Sequence, residues 1–176
     1  CSRYRRRITS ITHNTNNYIS LFFNKERYFN FIIIGKKMAE LHISWEEYNR
    51  KTEQLATMVH KDGWDFNQVV CIAKGGMRVG DIMARIFNVP LAVLSVESYR
   101  GDGVKNKRGS ITFSRDLAKT SPNIGSKVLI VDDLADSGIT LKKSIEWMEH
   151  FYGFYLDEPI RTCLLYTSDA ADDVRS

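Results

Sequence analysis

The sequence predicts an α/β fold in which a parallel β-sheet is flanked by helices. Two apolar runs of strand length, residues 68–73 and 127–131, carry this prediction, because each leads through a short glycine-containing loop into a helical pattern. Continuous apolar runs rich in β-branched residues are typical of strands that are buried on both faces, as in parallel sheets. Functional sites in such sheets lie at the carboxyl ends of the strands. We therefore expect the site in the loops that follow these two runs.

The remaining elements continue the alternation of strand and helix. Ser44 and Glu47 have the spacing of a capping box, which predicts the start of a helix, and Gly63 is placed to end it. Trp45 and Tyr48 fall on the apolar stripe that we expect this helix to bury. In chain order the predicted elements are a helix over 44–60, a strand over 68–73, a loop over 74–76, a helix over 77–87, a strand over 91–96, a polar loop over 97–109, a short strand over 110–113, a strand over 127–131, a loop over 132–138, a helix over 139–150 and a strand over 160–166.

Composition restricts the possible classes of protein. The chain has 176 residues, of which 43% are hydrophobic and 26% charged, and this excludes a disordered or low-complexity chain. Its three cysteines are few and far apart, which predicts neither a disulfide framework nor a metal site and favours a reducing, cytoplasmic location. Residues 38–166 carry 16 Lys/Arg and 17 Asp/Glu, and this near-neutral body argues against a nucleic-acid partner.

The two ends of the chain differ from its middle. Residues 1–37 hold eight Lys/Arg and one acid, and we predict that they are a non-native or disordered extension ahead of a natural start at Met38. An organellar presequence and a basic DNA-binding arm are the alternatives; neither apolar run in this segment reaches the roughly 18 residues that would cross a membrane. Residues 167–176 are predicted to be an artefactual tail, so that the domain spans 38–166 and its C-terminal part is truncated.

The most informative segment begins where the apolar run 128–131 ends. Asp132 and Asp133 follow the run at once, Asp136 follows three residues later, and residues 137–140 then open a helix. Free N–H groups at the start of a helix attract an anion, and Gly138 lets the backbone approach a ligand closely. The interpretation that competes with a binding site is an N-cap aspartate with solvated neighbours.

An anion site beside three acids would be repulsive for a plain phosphate. The arrangement is favourable if the ligand also brings hydroxyl groups or a divalent cation to the acids. A phosphorylated sugar meets this condition, with its phosphate on the loop and its diol on Asp132 and Asp133.

This segment resembles the phosphoribosyl-diphosphate (PRPP) motif of type I phosphoribosyltransferases. Residues 73–76, Ala-Lys-Gly-Gly, resemble the diphosphate-binding loop of that family, and Ser98 and Tyr99 resemble the start of the mobile hood loop of its purine-salvage branch. The xanthine-guanine and hypoxanthine-guanine enzymes are the most similar members. The resemblance extends from about Met38 to Leu165.

The resemblance implies a role for each matching residue. Asp132 and Asp133 would hold the ribose hydroxyls directly or through Mg²⁺, and Lys74 and Gly75 would bind the diphosphate, with a cis peptide bond before Gly75. Asp136 would also act as the general base or acid at the purine, and Ser98 and Tyr99 would close over the reacting centre. The residues implied to form the 5′-phosphate loop are Asp136, Ser137, Gly138, Ile139 and Thr140.

The implied function is transfer of the 5-phosphoribosyl group from PRPP to guanine, xanthine or hypoxanthine by a homodimer or homotetramer. The alternative is a non-catalytic PRPP-sensing module of the same fold, which the neutral body and the acid at Asp136 disfavour. The sequence also departs from the purine branch, because no lysine follows the strand 160–166 to read the base. Base recognition is therefore assigned to no residue, and truncation would leave this chain inactive.

Overall fold

The architecture is given by a computed structural model that describes residues 18–23, 29–34, 44–98, 111–135 and 138–167. The described residues form three α-helices, α1 (Trp45–Asp62), α2 (Gly76–Phe87) and α3 (Ile139–Tyr152), and a 3-10 turn at Gly153–Tyr155 follows α3. The strands are β1 (Tyr18–Phe23), β2 (Phe29–Ile34), β3 (Gln68–Ala73), β4 (Leu91–Ser98), β5 (Ile111–Phe113), β6 (Ala118–Lys119), β7 (Val128–Ala135) and β8 (Arg161–Thr167).

The strands form one mixed sheet in the order β1-β2-β8-β7-β3-β4-β5, and β6 also pairs with β4. The five strands from β2 to β4 in this order are mutually parallel, whereas β1, β5 and β6 pair antiparallel. The predicted α/β fold is therefore confirmed, with antiparallel strands added to its parallel centre. Because β3 and β7 are adjacent and parallel, their carboxyl ends meet at the same edge of the sheet.

The central strands β3 and β7 are buried on both faces by helices. Alternate residues of β3 and β7 point to opposite sides, so that Val69 and Leu129 pack under α1 and α2, while Val70 and Ile130 pack under α3. All four side chains are fully buried. Burial of an aliphatic side chain of this size contributes about 1.5–3 kcal/mol, so the continuous apolar runs in the sequence follow directly from coverage on both faces.

Two strands extend further than the sequence predicts. β7 continues through the predicted loop to Ala135, because β8 provides a parallel partner as far as the pairing of Ala135 with Thr167. β4 continues to Ser98, which pairs with Ile111 of β5, so the predicted polar loop does not begin at residue 97. The two-residue strand β6 has no counterpart among the predicted elements.

The terminal segments set apart on sequence lie only partly within the described residues. β1 and β2 fall inside residues 1–37, and β2 pairs with β8. The assignment of residues 1–37 and 167–176 as extensions stays a prediction. Across the described ranges, no helix has the length and apolar character needed to span a membrane.

Candidate active site

The loop after β3 packs directly against the C-terminal half of β7. The Ala73–Lys74 peptide bond is cis, one bond earlier than the resemblance implies, and Gly75 precedes the first turn of α2. A Cβ atom at Gly75 would overlap the carboxylate of Asp133, and one at Gly76 would overlap the carbonyl oxygen of Val131. Two consecutive glycines therefore allow the loop after β3 to touch the strand that carries the acids.

Asp132 and Asp133 form an adjacent pair of carboxylates at this contact. The backbone N–H of Asp133 donates to Oδ1 of Asp132 at 2.9 Å. Burial and the neighbouring charge of Asp133 raise the pKa of Asp132 to about 7, and the N–H groups of Asp133 and Gly76 oppose the shift. The pair is thus a half-buried site at which a cation, or hydroxyl donors, would relieve electrostatic repulsion.

The donor set of this pair is compatible with Mg²⁺. Within the ranges that the structure describes, no group of three or more His, Cys, Asp or Glu side chains is arranged to hold a metal ion. Mg²⁺ is commonly bound by only one or two carboxylates together with substrate phosphates and water. Asp132 and Asp133 therefore fit an ion that arrives with a phosphorylated substrate, rather than one held in a cage made wholly of protein.

The N-terminus of α3 follows β7 on the same edge of the sheet. Gly138 occupies the cap position with a φ of 68°, in the left-handed region that favours glycine, and no side chain of a described residue caps the helix start. Ile139 is 52% exposed, and Thr140 is half-buried. First-turn N–H groups without a side-chain cap can bind an anion. Asp136 and Ser137 lie outside the described residues.

A cleft of about 530 Å³ opens where the loop after β3 meets Asp133 of β7. Its size lies within the range of small-molecule sites, about 300–1,000 Å³. Of the residues predicted for the site, it brings together Lys74, Gly75 and Asp133. The other lining residues come from the starts of α1 and α2 and are Trp45, Tyr48, Met77, Arg78 and Asp81.

Comparison with known proteins identifies the family. The family model described as "Phosphoribosyl transferase domain" matches residues 44–173. The chain belongs to this family. The match confirms the resemblance found in the sequence and covers every described element from α1 to β8.

The relatives of this phosphoribosyltransferase chain include xanthine-guanine phosphoribosyltransferases. That of Roseobacter denitrificans is 35% identical over 106 residues, which are 57% of this chain and 60% of the relative. A second, from a Ruegeria species, matches with the same identity and coverage. The chain thus spans about three fifths of the length of these curated relatives.

Solved structures share the fold. A purine phosphoribosyltransferase from Pyrococcus horikoshii superposes with a TM-score of 0.60 at 22% identity, covering 76% of this chain and 81% of that one. The xanthine-guanine-hypoxanthine phosphoribosyltransferase of Helicobacter pylori gives a TM-score of 0.59 at 16% identity, covering 73% of this chain and 78% of that one. At these identities the likeness establishes the α/β architecture alone.

The hood-loop prediction stays untested. Ser98 is the last residue of β4, and Tyr99 lies outside the described residues. The roles assigned to these two residues, to Asp136 and to Ser137 stay predictions.

Sequence reasoning missed the aromatic and cationic wall of the cleft. Trp45, predicted to lie on the buried stripe of α1, is instead 66% exposed and lines the cleft with Tyr48 and Arg78. A signal was available: a helix that precedes a parallel strand, and one that follows it, both place their N-termini at the carboxyl edge of the sheet. The first turns of α1 and α2 were therefore candidates for the site.

Proposed function

We propose that this phosphoribosyltransferase chain transfers the 5-phosphoribosyl group from PRPP to guanine, xanthine or hypoxanthine, with Mg²⁺, giving the nucleoside monophosphate and diphosphate. The observation that carries the proposal is the direct contact between Gly75 and the Asp133 carboxylate beside an open cleft. This contact puts groups suited to a diphosphate next to groups suited to a diol. The names of the relatives support the purine substrates.

Each part of PRPP has a proposed partner at the carboxyl edge of the sheet. The 5′-phosphate would bind the N–H groups at the start of α3, from Gly138 to Thr140, because anions are favoured at helix N-termini. The ribose hydroxyls would bind Asp132 and Asp133. The diphosphate would meet Lys74, an exposed residue that lines the cleft.

The chemistry requires charge stabilisation and one proton transfer. Departure of diphosphate leaves positive charge on the ribose ring, and Lys74 would stabilise the negative charge that leaves. When bound at Asp132 and Asp133, Mg²⁺ would supply further neutralisation of that diphosphate. Asp136 would accept the proton that the purine loses, and closure of Ser98 and Tyr99 would exclude water that could hydrolyse PRPP.

The resemblance also supports an assembly and a location. We propose a homodimer or homotetramer in the cytoplasm. Cys71 and Cys163 are both free and buried, which is compatible with a reducing compartment.

Two measurements test the proposal. Calorimetric titration with PRPP and Mg²⁺ should show binding that Lys74→Gln weakens strongly, and diphosphate release should follow when a purine is added to a full-length homologue. An exposed lysine outside the cleft, Lys61→Gln, is the matched control. PRPP binding without diphosphate release from any purine would favour the sensing module, and absence of PRPP binding would overturn both functions.

A further inference from the structure

A cation–π pair forms one wall of the cleft. Arg78 lies in the first turn of α2 and Trp45 begins α1, and the guanidinium carbon lies 4.3 Å from the centroid of the Trp45 ring. Both side chains are exposed and both line the same cleft as Lys74. Their contact is therefore part of the surface of the cleft rather than of the hydrophobic core.

Trp45 is held in place by its own helix. The Ser44 hydroxyl accepts a hydrogen bond from the Glu47 N–H at 3.1 Å and so fixes the first turn of α1. The Trp45 ring also meets the Tyr48 ring edge-on, with centroids 6.0 Å apart at 73°. The guanidinium of Arg78 lies over this ring without a ligand, and such an orientation in advance reduces the entropy lost on binding.

The charge of Arg78 is available to a ligand. Among the described residues, no carboxylate forms an ion pair with Arg78, and the nearby cleft acid Asp81 is paired with Arg85 at 3.0 Å. Burial and the charges of Asp133 and Asp132 raise the pKa of Tyr48, and the charge of Arg78 opposes this shift. Arg78 and Asp133, which both line the cleft, thus act on the same phenol.

We propose that Arg78, oriented by Trp45, is a second cationic contact for the diphosphate of PRPP in the cleft that also holds Lys74. The inference rests on the proposed function and deepens it. A planar guanidinium can donate two parallel hydrogen bonds to a phosphate, whereas the Lys74 ammonium acts as a point charge. Arg78 is therefore a substrate-binding residue in this scheme, and Trp45 is a positioning residue.

A set of three ligands tests the proposal on the full chain with Mg²⁺ present. Inorganic diphosphate and PRPP both carry the group that Arg78 would bind, whereas ribose 5-phosphate lacks it. Loss of one charged hydrogen-bonding contact weakens binding by about tenfold or more. We therefore expect Arg78→Gln to raise the Kd of diphosphate and PRPP by about tenfold and to leave the Kd of ribose 5-phosphate within about twofold.

Three further variants separate binding from positioning. Arg78→Lys should recover part of the affinity, because it restores the charge without the planar fork. Trp45→Leu should weaken diphosphate binding less than Arg78→Gln does, and should add little in the double variant, because the tryptophan acts through the arginine. Arg50→Gln removes an exposed arginine that does not line the cleft and should change none of the three affinities.

The outcomes distinguish this inference from the proposed function. If Lys74→Gln loses diphosphate binding and Arg78→Gln retains it, the inference is wrong and the proposed function stands. If Arg78→Gln weakens ribose 5-phosphate as much as diphosphate, the arginine acts only through the general charge of the site and the inference is also wrong. If the unmodified chain binds neither diphosphate nor PRPP, both proposals fail.

Discussion

The backbone of Gly75 lies directly against the carboxylate of Asp133, with no space for even a methyl group between them. Gly75 has a φ of −61° and a ψ of −51°, an ordinary right-handed conformation that alanine adopts readily. The position therefore requires glycine for space and not for backbone freedom. This contact, together with that of Gly76 and Val131, couples the loop after β3 to strand β7.

Replacement of Gly75 by alanine tests the coupling. Gly75→Ala should lower the free energy of unfolding by about 1–3 kcal/mol through overpacking, and should weaken PRPP binding because Asp133 is displaced. In an Asp133→Ala background the same change should cost much less stability, since the colliding carboxylate is gone. Chemical denaturation of the four proteins in this cycle measures the difference.

Gly153→Ala is the matched control for this experiment, because a Cβ at Gly153 meets nothing within 4 Å. It should leave both stability and PRPP binding unchanged. An equal cost of Gly75→Ala with and without the Asp133 carboxylate would contradict the coupling.

The left-handed glycine at the start of α3 gives a second prediction. Gly138→Ala should destabilise the fold by about 1–2 kcal/mol, because φ is 68° and a Cβ is disfavoured there. It should also weaken binding of ribose 5-phosphate, since the strained turn can no longer present its N–H groups. Denaturant unfolding and calorimetric titration provide the two readouts.

Gly63 offers a close comparison, because it has a φ of 74° and open space around its Cβ position, at the other end of a different helix. Gly63→Ala should show a similar loss of stability with unchanged affinity for ribose 5-phosphate. Equal losses of affinity in both variants would indicate that global destabilisation, and not the anion site, is responsible.

Asp136 is expected to act in the chemical step. In an active full-length homologue, the equivalent of Asp136→Asn should lower kcat by about 10²–10⁴ while the Kd of PRPP stays nearly constant, because an amide cannot accept the proton. Rapid-quench kinetics and equilibrium binding separate these quantities. Asp65→Asn, an exposed acid that does not line the cleft, serves as the control, and an unchanged kcat in Asp136→Asn would refute the role.

The hydroxyl of Tyr152 donates a hydrogen bond to the carboxylate of Asp116, and this bond makes stability depend on pH. The bond holds the pKa of Asp116 below its usual value. The pKa of Tyr152 is raised, first by burial and then by the same bond. The stabilisation is present between the unfolded pKa of Asp, about 4, and that of Tyr, about 10. It is lost as acid protonates Asp116 below that range, and as alkali deprotonates Tyr152 above it.

Tyr152→Phe should therefore be less stable than the unmodified chain at pH 7, and the difference should shrink as the pH falls below about 4. Thermal unfolding across this range provides the measurement. Tyr155→Phe removes a neighbouring exposed hydroxyl and should show no such convergence. A stability difference for Tyr152→Phe that stays constant down to low pH would show that the hydrogen bond has no role in it.

Local patterns in the sequence predicted the parts of the fold that depend on local interactions. The capping box at Ser44 and Glu47 starts α1 as expected, and the apolar run 128–131 is fully buried in β7. The acid pair and the glycine loop could be located because both follow such runs. These features depend on side-chain period and helix capping, which a single sequence displays directly.

The features that were missed depend on contacts between distant segments. The extension of β7 to Ala135 requires pairing with β8, some 30 residues later. Arg78 and Trp45 meet only because α1 and α2 both begin at the same edge of the sheet. The hydrophobic periodicity of a single helix does not indicate a contact between two helices. Trp45 was therefore assigned to the buried face of α1.

The central position of β7 has a consequence for how substrate and protein adapt to each other. β7 is hydrogen-bonded to β8 on one side and to β3 on the other, and its first four residues are fully buried. Amide hydrogen exchange should be slowest along this strand. The backbone that carries Asp132 and Asp133 should therefore be rigid. During turnover the conformational changes would then occur in the sugar ring and in the loops around the site, while β7 keeps its position.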